Sequence, residues 1–377
     1  MTTTTTNSLY ITVLRSTLLE ALAVVSGAVG SDASSLPILR SFLLRASLGV
    51  VYCATTDLEV AIEYSFPGKV SEEGALALPF QVFSGIIKNL RSERVSLRVE
   101  GLTLHITADN YVGAVYGQSA EDFPIIPSLE TPRVQGSFSE ALLSHALSRV
   151  VFATQHSDIR PEISGVRIHP DAGDLVFAAT DSFRLARFAL SSENHSFSGD
   201  EAFTLPIRTA QDLVKILTSS EEDVKIFSDL NQILFQAGSW KMTSRLVQGA
   251  FPDYTQIIPR EFRGEAELKR EEFLHGVKIV SALSGRGNDI ALEVGGNKKF
   301  LELKASEGTL GEGAYKIPAK ISGDVFSIIF NWKYILQGLQ ACDGESVVLQ
   351  AGKAERPVIL RNPQNQRFLY VVMPIRG

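Results

Sequence analysis

An internal repeat constrains the fold of this chain more than any other feature of its sequence. Segments with similar amino-acid sequences recur about every 126 residues, a third of the 377-residue chain. One set of such segments is 78–90 (LPFQVFSGIIKNL), 205–217 (LPIRTAQDLVKIL) and 330–342 (FNWKYILQGLQAC). A second set is 14–28, 138–153 and 269–283. Because both sets have apolar residues three or four positions apart, the sequence predicts three units with two helices each.

Strand patterns accompany the helices of every unit. Apolar and polar residues alternate at 95–106, 224–235 and 346–360, a period that indicates β-strands. Proline before the helices at 78–90 and 205–217 predicts where each begins. A serine or charged residue near the start of each 14–28-type helix predicts a side-chain N-cap. Proline-rich linkers are expected near 127–132 and 259–264.

A repeated turn motif supports the same period. The stretch 174–189 predicts a strand over 175–179, a turn at Thr180, Asp181 and Ser182, and a second strand from Arg184. Asp and Ser side chains close such turns by bonding nearby backbone groups. The pair Thr56 and Asp57 stands in a similar setting 124 residues earlier, which supports repetition of the whole unit.

Composition bounds the class of protein. With 45% hydrophobic and 21% charged residues, the chain is typical of globular proteins, and its length suggests two or three domains. The two cysteines, Cys53 and Cys342, are predicted to be buried thiols in a reducing compartment. No signal peptide or membrane span is recognisable, which predicts a cytoplasmic protein. The net charge of −6 gives no indication of nucleic-acid binding.

Motifs for catalysis are missing from the sequence. The six histidines stand singly, without the spacing of a metal site, and neither a phosphate-binding Gly-x-x-x-x-Gly-Lys loop nor a Gly-x-Ser-x-Gly motif occurs. Asp57 and Asp181 are interpreted as turn formers. No catalytic residue, metal or cofactor is therefore predicted, and an enzyme whose site is assembled from scattered residues remains the less favoured alternative.

With the three units laid out, the chain resembles the bacterial DNA sliding clamps, the beta subunits of DNA polymerase III. The resemblance extends from about Tyr10 to the end of the chain. It rests on short motifs in a fixed order: LPIL at 36–39, TDLE at 56–59, DFP at 122–124, ISGV at 163–166, TDxxRLA at 180–186, FPDY at 251–254 and VMP at 372–374.

The resemblance implies an α+β fold of three DNA-clamp domains, each with two helices packed on antiparallel β-sheets. The domains are expected at 9–128, 133–260 and 264–377. Two chains would join head to tail as a ring-shaped homodimer that encircles duplex DNA without reading its sequence and slides along it. The expected partners are the polymerase alpha subunit, the clamp-loader delta subunit and other proteins with a clamp-binding motif. The alternative left open is a scaffold of the same fold that binds peptides without encircling DNA.

The resemblance also implies which residues face DNA, bind partner peptides and form the dimer interface. The predicted helices supply candidate DNA-facing cations: Arg15, Lys88, Arg91, Arg149, Arg160, Arg208, Lys215, Lys278 and Lys333. The partner-peptide cleft, carried over by motif position, comprises Ile163, Thr180, Phe183, Arg184, Leu185, Pro252, Ile257, Val371, Met373, Pro374, Ile375 and Arg376. The dimer interface is expected to include Val115 and Leu283.

Departures from the family pattern fall at four places. Ser182-Phe183 stands where most clamps have Gly-His, and Gln256 replaces a residue that is often basic. The loop 31–35 lacks an arginine that some relatives use near DNA, and Gly113 stands where some relatives carry an aromatic residue. A changed peptide preference is expected at Phe183.

Overall fold

A computed structural model describes residues 8–31, 36–127, 129, 134–198, 201–217, 222–352 and 355–375. Arg376, the threonine-rich N-terminus and most of the loop 31–35 lie outside the described residues. The chain divides into two compact units. Unit 1 comprises 1–139, 197–199 and 220–246, and unit 2 comprises 140–196, 200–219 and 247–377.

Strands and helices follow the predicted period, and their bounds are given by thirds of the chain. The first third contains β1 (Ser8–Leu14), α1 (Arg15–Val25), β2 (Ser41–Ser47), β3 (Val50–Thr56), β4 (Val60–Pro67), β5 (Lys69–Glu72), β6 (Gly74–Pro79), α2 (Phe80–Asn89), β7 (Arg94–Glu100), β8 (Thr103–Ala108) and β9 (Tyr111–Tyr116). The central third contains β10 (Val134–Ser139), α3 (Glu140–Ser148), β11 (Gly165–Asp171), β12 (Asp174–Thr180), β13 (Arg184–Leu190), β14 (Phe203–Pro206), α4 (Ile207–Ile216), β15 (Asp223–Ser228), β16 (Gln232–Ala237) and β17 (Trp240–Arg245). The last third contains β18 (Gly264–Lys269), α5 (Arg270–Ser281), β19 (Asp289–Val294), β20 (Phe300–Glu307), β21 (Gly311–Gly323), β22 (Ser327–Asn331), α6 (Trp332–Ala341), β23 (Ser346–Ala351), β24 (Val358–Arg361) and β25 (Phe368–Val372).

The predicted repeat is confirmed at two levels. Each third is built from two similar halves, and each half is a strand, a helix and then a run of strands. All six predicted helices are present within the described residues, with ends that differ from the predicted ones by a few positions. None of these helices is both long enough and apolar enough to cross a membrane.

Helix starts agree only in part with the sequence. Pro79 and Pro206 occupy the N-cap positions of α2 and α4, as predicted. The prediction of side-chain N-caps was wrong for α1 and α5, whose N-cap residues Leu14 and Lys269 make no capping bond. Both helices continue directly from a strand, so the N-cap residue is the last strand residue and its side chain belongs to the sheet.

Unit 1 contains two antiparallel sheets and two helices. One sheet has five strands in the order β5-β1-β7-β8-β9, and the other has eight in the order β10-β15-β16-β17-β4-β3-β2-β6. Strand β1 alternates between buried and exposed residues, and α1 buries one face formed by Leu18, Ala21, Leu22 and Val25. Burial of this apolar face stabilises the helix more than its intrinsic propensity does.

Unit 2 contains one continuous sheet of twelve strands in the order β14-β11-β12-β13-β25-β24-β23-β18-β21-β20-β19-β22. Its four helices bury apolar faces, with Phe273 on α5 and Ile335 on α6 among the fully buried side chains. The central third thus contributes strands to both units, which is why the two compact units do not coincide with three equal domains. The domain limits themselves stay a prediction.

The repeated Thr-Asp motif builds the same turn twice. Asp57 Oδ1 accepts hydrogen bonds from the backbone of Glu59 at 3.0 Å and Val60 at 2.8 Å. Asp181 Oδ1 accepts the equivalent bonds from Phe183 at 3.0 Å and Arg184 at 3.1 Å. Both carboxylates are therefore turn formers, as predicted.

Candidate peptide groove, DNA-facing helices and sheet edges

A groove of about 800 Å³ opens in unit 2 beside the turn that Asp181 closes. It is lined by the segments 182–185 and 256–261, by Arg263 and Gly352, by the segment 355–357, and by Val371 and Met373. Leu185 and Val371 form its floor, because each is buried in a cluster with Tyr254 and Ile359. The groove therefore has an apolar base that belongs to the core of the unit.

Exposed apolar side chains rise along one wall of this groove. Phe183 is 60% exposed, Ile257 is 47% exposed and Met373 is 37% exposed. Their positions are fixed by backbone bonds, since the Met373 amide donates to the Phe183 carbonyl at 2.8 Å. Large apolar residues in this arrangement are suited to receive the anchor side chains of a short peptide.

Arg184 supports the groove from inside the unit. Its Nε donates to Asp181 Oδ2 at 2.9 Å, and its guanidinium carbon lies 4.4 Å from the centre of the Tyr334 ring. Nη1 donates to Gln337. With a side chain only 9% exposed, Arg184 is a buried structural cation, and its charge is already paired.

Lysine and arginine side chains project from the exposed faces of four helices. The exposed cations are Lys88 on α2, Arg208 and Lys215 on α4, Lys278 on α5 and Lys333 on α6, together with Arg91 just after α2. Asp212 forms ion pairs with Arg208 at 3.9 Å and Lys215 at 2.8 Å. The three lysines Lys88, Lys278 and Lys333 have no ion pair with any described residue, and Lys333 Nζ lies 5.7 Å from the centre of the Trp332 ring. All three ammonium groups are therefore available to an external anion.

Two of the open strand edges within the described residues belong to β9 and β21. Strand β9 pairs with β8 on one side only, and its Val112 and Tyr116 are 77% and 80% exposed. Strand β21 pairs with β20 along 311–318 and with β18 along 319–323, which leaves the other side of 311–318 open. An exposed edge with apolar side chains is a surface on which another strand can pair.

Comparisons with known proteins agree along the whole chain. Models of the N-terminal, central and C-terminal domains of the DNA polymerase III beta subunit match residues 9–127, 137–253 and 255–376. The chain belongs to the DNA polymerase III beta subunit family. It is a sliding clamp, a non-catalytic processivity subunit of the bacterial replicative polymerase.

Individual relatives are similar over nearly their full length. The beta sliding clamp of Synechococcus elongatus is 29% identical over 364 residues, which cover 94% of this chain and 96% of the relative. The solved clamp of Bacillus subtilis is 26% identical with a TM-score of 0.90, covering 98% of this chain and 99% of that one. A clamp of Bartonella birtlesii, solved bound to griselimycin, is 26% identical with a TM-score of 0.92 and covers 98% and 100%.

Half of the peptide-cleft residues inferred from the clamp family line the groove. These are Phe183, Arg184, Leu185, Ile257, Val371 and Met373. Ile163 and Thr180 are buried, and the Thr180 hydroxyl donates to the Arg184 carbonyl at 2.6 Å, so this residue shapes the turn. Pro252 lines a separate pocket beside Arg167 and His169.

Backbone hydrogen bonds hold the segment 373–375 to two other segments of unit 2. Pro374 and Ile375 lie beyond the lining of the groove, and the Ile375 amide donates to the Ile329 carbonyl on β22 at 2.8 Å. Together with the bond from Met373, this fixes the end of the chain beside the clamp groove. The predicted role of Arg376 concerns a residue outside the described ones.

Three of the predicted DNA-facing cations form hydrogen bonds within the fold. Arg149 donates to Asp343 and to the Ala341 carbonyl, and its side chain is only 18% exposed. Arg15 donates to the carbonyls of Ile87 at 2.9 Å and Lys88 at 2.7 Å, at the end of α2. Both guanidinium groups bind backbone at helix ends, and their predicted position facing DNA stays a prediction.

Arg160 lies outside the six helices of the repeat. It lies in an irregular segment before the short 3-10 helix Pro161–Ile163, where Nη1 donates to Ser182 Oγ at 3.0 Å and Nε pairs with Glu162 at 3.2 Å. Its contacts are with the turn beside the groove. The hydroxyl that distinguishes Ser182 from the glycine of most clamps accepts this bond.

Several groove residues were missed from the sequence. Residues 259–261 and Arg263 fall in the linker predicted near 259–264, and residues 355–357 fall in the segment 346–360 that was predicted as strand. Neither local pattern indicates a groove. Their shared wall depends on the pairing of β23, β24 and β25, which a local pattern does not contain.

The predicted interface residues differ in exposure. Val115 is 4% exposed and packs inside unit 1, so its side chain is not available to a partner. Leu283 is partly exposed after α5, and a Cβ added at Gly313 on the open side of β21 would lie 2.8 Å from Leu283 Cδ1. Leu283 therefore packs over one face of β21, within the stretch 311–318 whose edge is open.

Histidine chemistry does not suggest a metal or catalytic site. Burial lowers the pKa of His145, and the neighbouring Arg149 lowers it further, while Asp343 opposes the shift. Burial also lowers the pKa of His169, whose Nε2 lies 2.7 Å from the Tyr254 hydroxyl. No group of three or more metal-ligating side chains is present in the part of the chain that the structure describes.

Proposed function

We propose that this sliding clamp acts as a head-to-tail homodimeric ring that encloses duplex DNA. In this proposal the ring slides along DNA without sequence preference and carries partner proteins in the groove of unit 2. The partners would be the polymerase alpha subunit, the clamp-loader delta subunit and other proteins with a clamp-binding motif. The domain limits 9–128, 133–260 and 264–377 belong to the same proposal and lie close to the three matched segments.

Strand pairing carries the proposal. The third strand after the first helix of one third pairs with the last strand of the next third. This pairing is β4 with β17 in unit 1 and β13 with β25 in unit 2, antiparallel in both cases. The same rule would pair β21 with β9 of a second copy. Both of these strands have an open edge.

Side chains at the open edges favour such a junction. Val112 and Tyr116 are exposed apolar residues on β9, and Leu283 lies against Gly313 on β21. An interface made of one surface from each end is heterologous, so it can repeat until a ring closes. Closure with two copies is the arrangement expected from the clamp family.

The test of the ring is its mass in solution. We expect light scattering to give about twice the 41.1 kDa chain mass. The double variant V112D/Y116D should be monomeric, because it places two carboxylates in the apolar junction. The matched control L48D changes a residue of the same unit that is 89% exposed and should leave the mass unchanged. A dimer that survives V112D/Y116D would contradict the proposed junction.

The exposed helix lysines support the DNA part of the proposal. DNA binding without base readout needs cations that reach phosphates, and each neutralised phosphate contributes a salt-dependence slope of about −0.9. Only the surface that faces DNA must be basic, so the net charge of −6 is compatible with this role.

Charge reversal at these lysines tests that surface. We expect K88E/K278E/K333E to shorten the residence of the loaded clamp on circular DNA. The matched control K69E/K225E/K241E makes the same change of charge at three exposed strand lysines. Equal residence times for the two variants would contradict the assignment of the helix lysines to DNA.

A further inference from the structure

We infer that the groove selects partner peptides that carry carboxylates beside their apolar anchors. The inference rests on the proposed function of the groove and adds the chemistry of the partner. Its basis is a second wall, opposite in character to the apolar wall of Phe183, Ile257 and Met373. This cationic wall is formed by the exposed residues Arg260, Arg263 and Arg356.

The three guanidinium groups of the cationic wall have no acceptor in the part of the chain that the structure describes. None of them makes a side-chain hydrogen bond or ion pair with any described residue, whereas Arg184 in the same groove is paired with Asp181. Arginine presents five donors in a planar fork that matches a carboxylate. Three such groups without acceptors are the feature of the groove that the clamp fold itself does not use.

Backbone contacts bring the cationic wall together from two distant segments. The Arg263 amide donates to the Ala351 carbonyl at 2.9 Å, which joins the segment before β18 to the end of β23. A Cβ added at Gly352 would lie 3.7 Å from both Arg356 Cβ and the Glu261 carbonyl oxygen. Arg356 therefore shares one wall with Arg260 and Arg263, although it follows them by more than ninety positions in sequence.

Acidic residues on the same wall limit its charge. Glu261 and Glu355 also line the groove, so three arginines against two glutamates leave a net charge of +1. The whole chain carries −6, which makes this a positive patch on a negative protein. A peptide with two carboxylates would be attracted to the arginines and kept at a distance from the rest of the surface.

The size of the effect follows from solvent exposure. Ion pairs at exposed arginines are weak, so each carboxylate should improve affinity by about threefold, and two by about tenfold, at low salt. Since salt screens such pairs, the gain should shrink at high ionic strength. The apolar anchors would provide most of the affinity, and the cationic wall would provide preference among partners.

The experiment compares designed peptides on the full-length clamp. One fluorescent probe carries an aliphatic and an aromatic anchor, Leu-Phe, followed by Asp-Asp. A second probe has Asp-Asp before the anchors, and the neutral counterparts have Asn-Asn. We expect at least one of the two acidic probes to bind about tenfold more tightly than its neutral counterpart at 50 mM NaCl. At 500 mM NaCl that acidic probe and its neutral counterpart should bind with about equal affinity. The variant R260Q/R263Q/R356Q should lose this preference, and the lysine variant R260K/R263K/R356K should retain part of it.

Controls separate this inference from the proposed function. The variant K69Q/K225Q/K241Q, with the same loss of charge at lysines of unit 1, should keep the full preference. Acidic and neutral probes that bind the wild type equally would overturn the inference while leaving the groove as a peptide site. A preference that survives in R260Q/R263Q/R356Q would also overturn it. If no probe binds, the groove itself is excluded as a site for such peptides, and the inference falls with it.

Discussion

Replacement of Arg184 tests whether this residue supports the groove or contacts a ligand. The variant Arg184→Met keeps the aliphatic stem and removes the guanidinium, which leaves the Asp181 carboxylate without its cation. Since the Asp181 side chain is only 4% exposed, water cannot take over. We expect unit 2 to lose about 3 kcal/mol of stability, the lower end of what an unpaired buried charge costs. Two backbone amides still donate to Asp181 and reduce the penalty.

Tryptophan fluorescence can report unit 2 separately. The chain has two tryptophans, Trp240 in unit 1 and Trp332 at the start of α6 in unit 2. In a Trp240→Phe background, urea unfolding followed at Trp332 measures the unit that contains Arg184. With a urea m-value of about 2 to 3 kcal/mol/M, the loss of about 3 kcal/mol lowers the midpoint by about 1 to 1.5 M.

A double-mutant cycle with Asp181→Asn separates the ion pair from the packing of Arg184. The Arg184–Asp181 coupling should be about 1.5 to 3 kcal/mol, because the two side chains are in direct contact. The exposed arginine Arg263 provides the control, and Arg263→Met should change stability by less than about 0.5 kcal/mol. A midpoint unchanged by Arg184→Met, or strictly additive effects with Asp181→Asn, would refute a structural role for this pair.

Three further predictions concern pH, thiols and the chain end. Burial lowers the pKa of three histidines of unit 2, so the unfolded state binds more protons than the folded state. The urea midpoint measured at Trp332 should therefore fall as the pH drops below about 6.5. These histidines are His145, His169 and His195. Burial raises the pKa of Cys53 to about 12 and that of Cys342 to about 11, so neither thiol should react with iodoacetamide at pH 8 unless urea is added. Deletion of residues 373–377 removes Met373 from the groove and should abolish probe binding while the mass in solution stays that of the dimer.

The repeat and the local turns could be predicted because each is written in neighbouring residues. Helical periodicity marks α1 to α6 directly, and the Thr-Asp motif encodes its turn through bonds that reach only two or three residues ahead. The buried state of Cys53 and Cys342 also followed from their apolar neighbours. Such features need no knowledge of which strands pair across the chain.

The contacts of several predicted site residues depend on partners far away in sequence. Arg149 was predicted to face DNA, and its guanidinium donates to Asp343, 194 positions along the chain. Arg184 was predicted to line the cleft and does so, while Gln337 and Tyr334 on α6 contact its guanidinium. A helical pattern shows that a cation can point outward, and only the packing of another element decides whether it does.

The same reasoning explains why the charge of the whole chain says little about its partners. Of the nine cations predicted to face DNA, Arg15, Arg149 and Arg160 form hydrogen bonds within the fold. Lys88, Lys278 and Lys333 are exposed on helix surfaces and form no ion pair with any described residue. Arginine forms several directed bonds at once and is therefore drawn into helix ends and turns, while the flexible lysine ammonium more often remains in solvent. In a clamp that must slide, mobile point charges have a further advantage. Such charges attract phosphates without holding the DNA at one position along its axis. The exposed lysines are therefore better suited to sliding than the hydrogen-bonded arginines.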